Sequence, residues 1–155
     1  MSEQYKFNNP AGLYFVTLTI VDWIDLFTRP DYKIELINDL QYCQKEKGLA
    51  IHAWVLMTSH LHMIISEHTQ ITKGGVAGIM RDFKKHTSKK FTNMIIEGNE
   101  SRKEWLLERF ELAGRRQSRI KYYKVWQDGN HPEELESINL SCRKWTIYTL
   151  TLWQR

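Results

Sequence analysis

The stretch Ile51–Ser66, IHAWVLMTSHLHMIIS, is the most apolar continuous run in the chain, and a run of this kind has to be buried. Thr58 and Ser59 interrupt it with a polar pair that reads as a turn. The spacing therefore predicts a hairpin, with one strand over Leu49–Met57 and the next over His60–Ser66. Side chains at i and i+2 of a strand share a face. His60 and His62 then emerge together, while Leu61 and Met63 point the other way into a core. Two neutral imidazoles on a rigid strand supply half of a divalent-metal site and need a further ligand from elsewhere. On a solvated sheet face the same pair needs to bind nothing, so its meaning depends on what surrounds it.

Upstream, YFVTLTIV over Tyr14–Val21 is rich in β-branched and aromatic residues and reads as a first strand. Residues Trp23 to Pro30 read as a loop. A helix then follows, capped by Asp31, with Ile34, Leu36, Ile37 and Leu40 as its apolar side, and Gly48 ends it. Downstream, Gly74-Gly75 breaks the chain before a second helix. There Val76, Ile79, Met80, Phe83, Thr87, Phe91 and Met94 recur at three- and four-residue spacing. Ser101–Leu112 suggests a short further helix, Ile120–Trp126 a fourth strand, and His131-Pro-Glu-Glu134 a helix start. The order strand, helix, strand, strand, helix, strand defines an α+β, ferredoxin-like βαββαβ fold, with an antiparallel sheet and two helices on one face.

The 155 residues, 42% hydrophobic and 26% charged, suit one soluble domain. No run of about eighteen apolar residues offers a membrane span. The N-terminal MSEQYKFNNPAG carries no apolar leader, and Cys43 and Cys142 form no framework, so a cytoplasmic protein is expected. The net charge of +4 is unevenly placed. One block holds Lys73, Arg81, Lys84, Lys85, Lys89 and Lys90 against the single acid Asp82; another holds Arg115, Arg116, Arg119, Lys121 and Lys124. Such clustering is the footprint of a polyanion partner, or else a solvated helix face.

WVLMTSHLHMII resembles the His-hydrophobic-His (HUH) segment of single-tyrosine transposases, and most closely that of REP-associated tyrosine transposases. The resemblance extends to YFVTLTI, to DFKKHTSKKF on the second helix and to YYKVWQDGNHPEEL. It implies an HUH-type transposase domain over residues 1–136 and an atypical tail over 137–155. It also implies that His60 and His62 hold Mg²⁺ or Mn²⁺ against a scissile phosphate, and that a tyrosine attacks to give a 5′-phosphotyrosine link and a free 3′-OH. The implied partner is single-stranded DNA carrying a hairpin, REP-like or an insertion-sequence end. Lys84, Lys85, Lys89 and Lys90 match the helix that faces DNA in such proteins, and Arg115, Arg116 and Arg119 add a second basic stretch. Family members are often homodimers sharing a sheet edge, and this branch includes monomers.

The C-terminus departs from the family pattern. A motif close to Tyr-Ile-His-x-Asn-Pro is expected there, and the chain reads SINLSCRKWTIYTLTLWQR instead. Read one base earlier, the codons of Trp145–Gln154 can spell Asp-Tyr-Ile-His-x-Asn-Pro-Val-Ala. The hypothesis is an out-of-frame end shifted near Ile138–Leu140, and gene sequencing tests it: codons unable to spell the motif remove the idea. If the hypothesis holds, nucleophile and third metal ligand are lost together, and the chain is a transposase by descent and a DNA-hairpin binder in practice. Tyr148 is the tyrosine left in that region, about a residue from the expected place, and Leu152 stands where a metal ligand is expected. The rival reading is a non-catalytic ferredoxin-like nucleic-acid-binding module. It would use Tyr122, Tyr123 and Trp126 for stacking and the lysines for phosphate.

Overall fold

The alternation of Tyr14, Val16 and Leu18 with Phe15, Thr17 and Thr19 makes the first strand, β1 (Tyr14–Thr19), whose first set is wholly buried. The computed structural model of the chain describes residues 7–9, 12–68, 74–116 and 123–135. After two short 3-10 turns, Pro30 opens α1 (Pro30–Lys47) at a position where its missing N–H costs no hydrogen bond. Gly48 closes that helix at φ 71°, a left-handed conformation that glycine adopts without strain. The predicted hairpin forms as β2 (Leu49–Leu56) and β3 (His60–Glu67), with α2 (Gly75–Glu97) after it. A third helix, α3 (Lys103–Arg115), covers the segment read as a short one. β4 (Glu133–Glu134) completes an antiparallel sheet of order β2-β3-β1-β4, the α+β ferredoxin-like arrangement. No described helix is long and apolar enough to cross a membrane.

The edge beyond β1 differs from the expected fourth strand. Within Ile120–Trp126, of which residues 120–122 lie outside those described, only Trp126 forms a bridge, to Ile20 just past the end of β1. The strand falls instead at Glu133–Glu134, just after Pro132, where a helix start was expected. The cause is the unpaired edge of β1, whose N–H and C=O groups need partners. They find them piecemeal: Val21 N–H donates to the Val125 carbonyl at 2.9 Å, Gln127 N–H to the Thr19 carbonyl at 2.8 Å, and Thr17 N–H to the Asn130 carbonyl at 2.9 Å. The Asp128-Gly129 turn keeps the run from becoming one regular strand, with Gly129 at φ 72°.

The core lies between the sheet and the helices. Tyr14, Val16, Leu18 and Ile20 meet Leu61, Met63 and Ile65 from β3, then Leu36 and Leu40 of α1, Ile79, Phe83 and Phe91 of α2, and Leu106 and Phe110 of α3. Burying each of the larger side chains contributes about 1.5–3 kcal/mol. On α1 the buried stripe is Tyr32, Leu36, Asp39, Leu40 and Cys43; Ile34, expected in it, is exposed and a carboxylate takes a buried place. That exchange matters for the basic surface described below. The opposite sheet face keeps only a small apolar cluster, Phe15, Ile64 and Leu135.

Candidate metal and nucleic-acid site

The period of β3 sends Leu61, Met63 and Ile65 into the core and His60 and His62 to the face without helices. Their ring centroids lie 4.7 Å apart. Each ring has one nitrogen beside a hydroxyl: Ser59 Oγ is 3.1 Å from His60 Nδ1, and Thr17 Oγ1, directly across on β1, is 2.8 Å from His62 Nδ1. Burial lowers the His60 pKa, and it pushes His62 down to about 4 with the neighbouring His60 adding to the effect. Both imidazoles are therefore neutral at neutral pH, the form that binds metal. A hydroxyl partner on Nδ1 is the usual way a protein orients a metal-binding histidine, and Nε2 is the atom that would ligate an ion in that arrangement. The pair fits two positions of a divalent-ion site. Among the described residues no group of three or more His, Cys, Asp or Glu side chains is arranged to hold a metal.

A row of rings crosses this face. Phe15 stacks on His62 at 5.5 Å and 20°, His62 adjoins His60, and Trp23 meets His60 edge-to-face at 5.4 Å and 76°. Trp23 is 61% exposed. It sits at φ 55°, directly after Asp22 at φ 53°. Two successive left-handed residues other than glycine cost roughly 1–3 kcal/mol each and need support from their surroundings. Here the support is visible. Trp23 N–H donates to the Ile20 carbonyl at 3.1 Å, and the Asp22 carboxylate is held by Arg109 of α3 at 2.6 Å.

The lysines of α2 divide between two neighbours. Lys84, Lys85 and Lys89 line a groove of about 960 Å³ between α2 and residues 123–130, together with Arg81, Lys124 and Tyr123. Lys84 is not a free cation there: it donates to the Gln127 carbonyl at 2.9 Å and to the Gly129 carbonyl, holding the far wall of the groove. Burial lowers its pKa to about 8, with Asp128 opposing the shift and Lys124 adding to it. Lys85 and Lys89 are exposed. Lys90 turns to α1 instead, where it pairs with Glu35 and lies 3.4 Å from the buried Asp39. Arg115 and Arg116 are exposed at the end of α3, the former bonded to Glu111 at 2.7 Å, and neither lines the groove. Arg119, Tyr122 and Tyr148 lie outside the described residues.

Trp126, expected as a stacking residue in the rival reading, is 3% exposed and belongs to the core. Its indole N–H donates to Thr87 Oγ1 at 2.8 Å, and its ring packs on Phe27, Phe83 and Phe91. It forms the floor of the groove, and no base can reach its face. Conversely, Thr17 and Trp23 stand at the histidine pair without having been singled out from the sequence. Thr17 could have been found by its place on the strand beside β3; Trp23 carries no local signal beyond being a tryptophan in a loop.

One strand separates the two features. Thr17 of β1 touches His62 through its hydroxyl and Asn130, on the lip of the groove, through its backbone N–H. Adjacent strands lie about 4.8 Å apart, so the imidazoles and the lip are on the order of 10 Å from each other.

No family model matches the chain, and no curated protein matches it in sequence. Among solved structures, that of a REP-associated tyrosine transposase bound to a REP hairpin is similar. Its TM-score is 0.61 at 14% identity, covering 93% of this chain and 68% of that chain. A likeness at this identity shows a shared fold over nearly the whole chain.

Proposed function

We propose that this protein binds hairpin-bearing single-stranded DNA as a transposase-like protein. The phosphate to be cut would lie at a divalent ion held by His60 and His62, and the flanking DNA would lie in the α2 groove. The observation that carries this reading is the neutral, hydroxyl-braced imidazole pair one strand away from a lysine-lined groove, on a fold shared with a transposase solved on a REP hairpin. A Mg²⁺ or Mn²⁺ ion bound there supplies Lewis acidity toward a phosphoryl oxygen. The chain's own residues do the rest. Thr17 and Ser59 fix the ring orientation, while Arg81, Lys85 and Lys89 neutralise phosphates and set the register of the strand. In this reading the altered tail makes the chain a DNA-hairpin binder by descent from a transposase, and if strand cleavage and rejoining survive, Tyr148 is the nucleophile left for them.

The test is binding of labelled hairpin DNA, taken from the sequence flanking the gene, by the full chain with Mn²⁺. A denaturation-resistant adduct is then sought. Hairpin binding, with Mn²⁺ affinity lost in His60→Ala and His62→Ala, supports the reading. An adduct that disappears in Tyr148→Phe assigns the nucleophile. A protein that binds hairpins equally well after both histidine substitutions and takes up no Mn²⁺ is the non-catalytic binding module. Failure to bind DNA at all removes both readings.

A further inference from the structure

We propose that Trp23 is a stacking platform for a single unpaired nucleobase, the one adjoining the phosphate at the His60–His62 pair. The inference rests on the function proposed above and adds a residue which that reading does not use. Four observations converge on it. Trp23 is the most exposed of the large hydrophobic side chains in the described residues, at 61%. It stands at the open end of the ring row Phe15, His62, His60, Trp23, whose inner end is buried. It meets His60 edge-to-face at 76°, an arrangement that leaves indole surface open to a planar group. The backbone that presents it, Asp22 and Trp23 at φ 53° and 55°, is held in a sparsely populated conformation by the Asp22–Arg109 ion pair.

Folding alone gives no reason for that arrangement. An exposed indole gains little from burial at this position, and a left-handed backbone is unfavourable for a bulky residue. Strain of this sort persists where the surroundings over-determine it, and it gathers at ligand clamps. The ligand class follows from the geometry. In a nucleotide the base stands one sugar away from its phosphate, and the indole stands one ring away from His60. A nucleobase presents a flat π-face whatever its identity, so the platform selects unpaired bases over paired ones without reading sequence.

Equilibrium binding of hairpin DNA with a single-stranded flank tests this, comparing the unaltered protein with Trp23→Ala, Trp23→Phe and Trp54→Ala. Trp54 is a second exposed tryptophan, on β2 opposite Met63 and so on the other sheet face. Each flank nucleotide is replaced in turn by an abasic site. Loss of one base–aromatic stack weakens binding about 5- to 150-fold. Trp23→Ala should show that loss, Trp23→Phe should restore most of it, and Trp54→Ala should bind like the unaltered protein. One abasic position should weaken the unaltered protein by a similar factor and have no further effect in Trp23→Ala, the signature of a coupled pair. Circular dichroism confirms that each variant is folded. Unchanged affinity in Trp23→Ala, or abasic penalties that persist at every position in that variant, overturns the platform while hairpin binding stands. An unaltered protein that binds no hairpin overturns the function proposed above and the platform with it.

Discussion

Replacing Lys84 with methionine should remove a pH dependence of folding that the unaltered protein shows above neutrality. The Lys84 ammonium is half-buried beside the 127–129 turn, and burial lowers its pKa from 10.5 to about 8. A depressed lysine pKa means that the charged form is the costly one in the folded state. That cost is fully present below about pH 8, where both states are protonated. It is relieved as pH rises from about 8 toward 10.5, because there the unfolded chain binds more protons than the native one. A shift of that size sets a ceiling of about 3.4 kcal/mol, and about 2.5 kcal/mol of it appears between pH 7 and pH 10. The two carbonyl acceptors, of Gln127 and Gly129, favour the ammonium and bring the gain below that ceiling. The assay is urea unfolding of both proteins at half-unit intervals over this range, with ionic strength held constant. Stability of the unaltered protein relative to Lys84→Met should climb by one to two kcal/mol, on the order of the slope that linkage requires. Parallel curves would show that the charged Lys84 carries no net cost in the folded state and would refute the depressed pKa.

Other residues give sharper contrasts. Lys85→Ala and Lys89→Ala should each reduce the slope of log K against log salt for hairpin binding by roughly 0.7–0.9, whereas Lys90→Ala should leave it unchanged because that cation is committed to Glu35 and Asp39. Equal slopes for all three variants would refute the division of the α2 lysines. Thr17→Val should weaken Mn²⁺ binding about 10- to 100-fold, followed by Mn²⁺ electron paramagnetic resonance, because the hydroxyl that orients His62 is gone. Full affinity in that variant would show that the ring is positioned by packing alone. Glu100→Ala should destabilise the fold by about 1–3 kcal/mol in denaturant unfolding, since it removes a buried carboxylate that accepts from Arg29 at 3.1 Å and from the Arg102 N–H, while the partly exposed Arg29 left behind stays solvated. Burial raises the Glu100 pKa, but the Arg102 N–H and the Arg29 guanidinium outweigh it and leave the carboxyl below its ordinary value. Its contribution is therefore present above pH 4.5 and lost as pH falls through the depressed value; an acid limb identical in Glu100→Ala would contradict this.

What the sequence encodes by period is legible without the structure, and what it encodes by encounter is not. The alternation in β1 and β3 places His60 and His62 on one face before any coordinates are seen, because a strand repeats every second residue whatever it pairs with. The lysines of α2 look like one patch in the sequence and are not. At 100° per residue, taking Lys84 as zero, Lys85 lies at about 100°, Lys89 at about 140° and Lys90 at about 240° around the helix. The middle two share a face, while the outer two flank it on opposite sides. A helical wheel yields those angles but cannot say what waits at each flank. Asp39 waits on one side, a buried carboxylate on the α1 stripe that was expected to be apolar. Two carbonyls wait on the other, in a turn more than forty residues downstream. The strained presentation of Trp23 has the same origin, since the guanidinium that holds Asp22 is 87 residues away. A cation with a long flexible stem goes to whatever acceptor the fold brings within reach. Charge clusters read from a sequence therefore give the sign of a surface, and only the tertiary neighbours decide which of its members are left for a ligand.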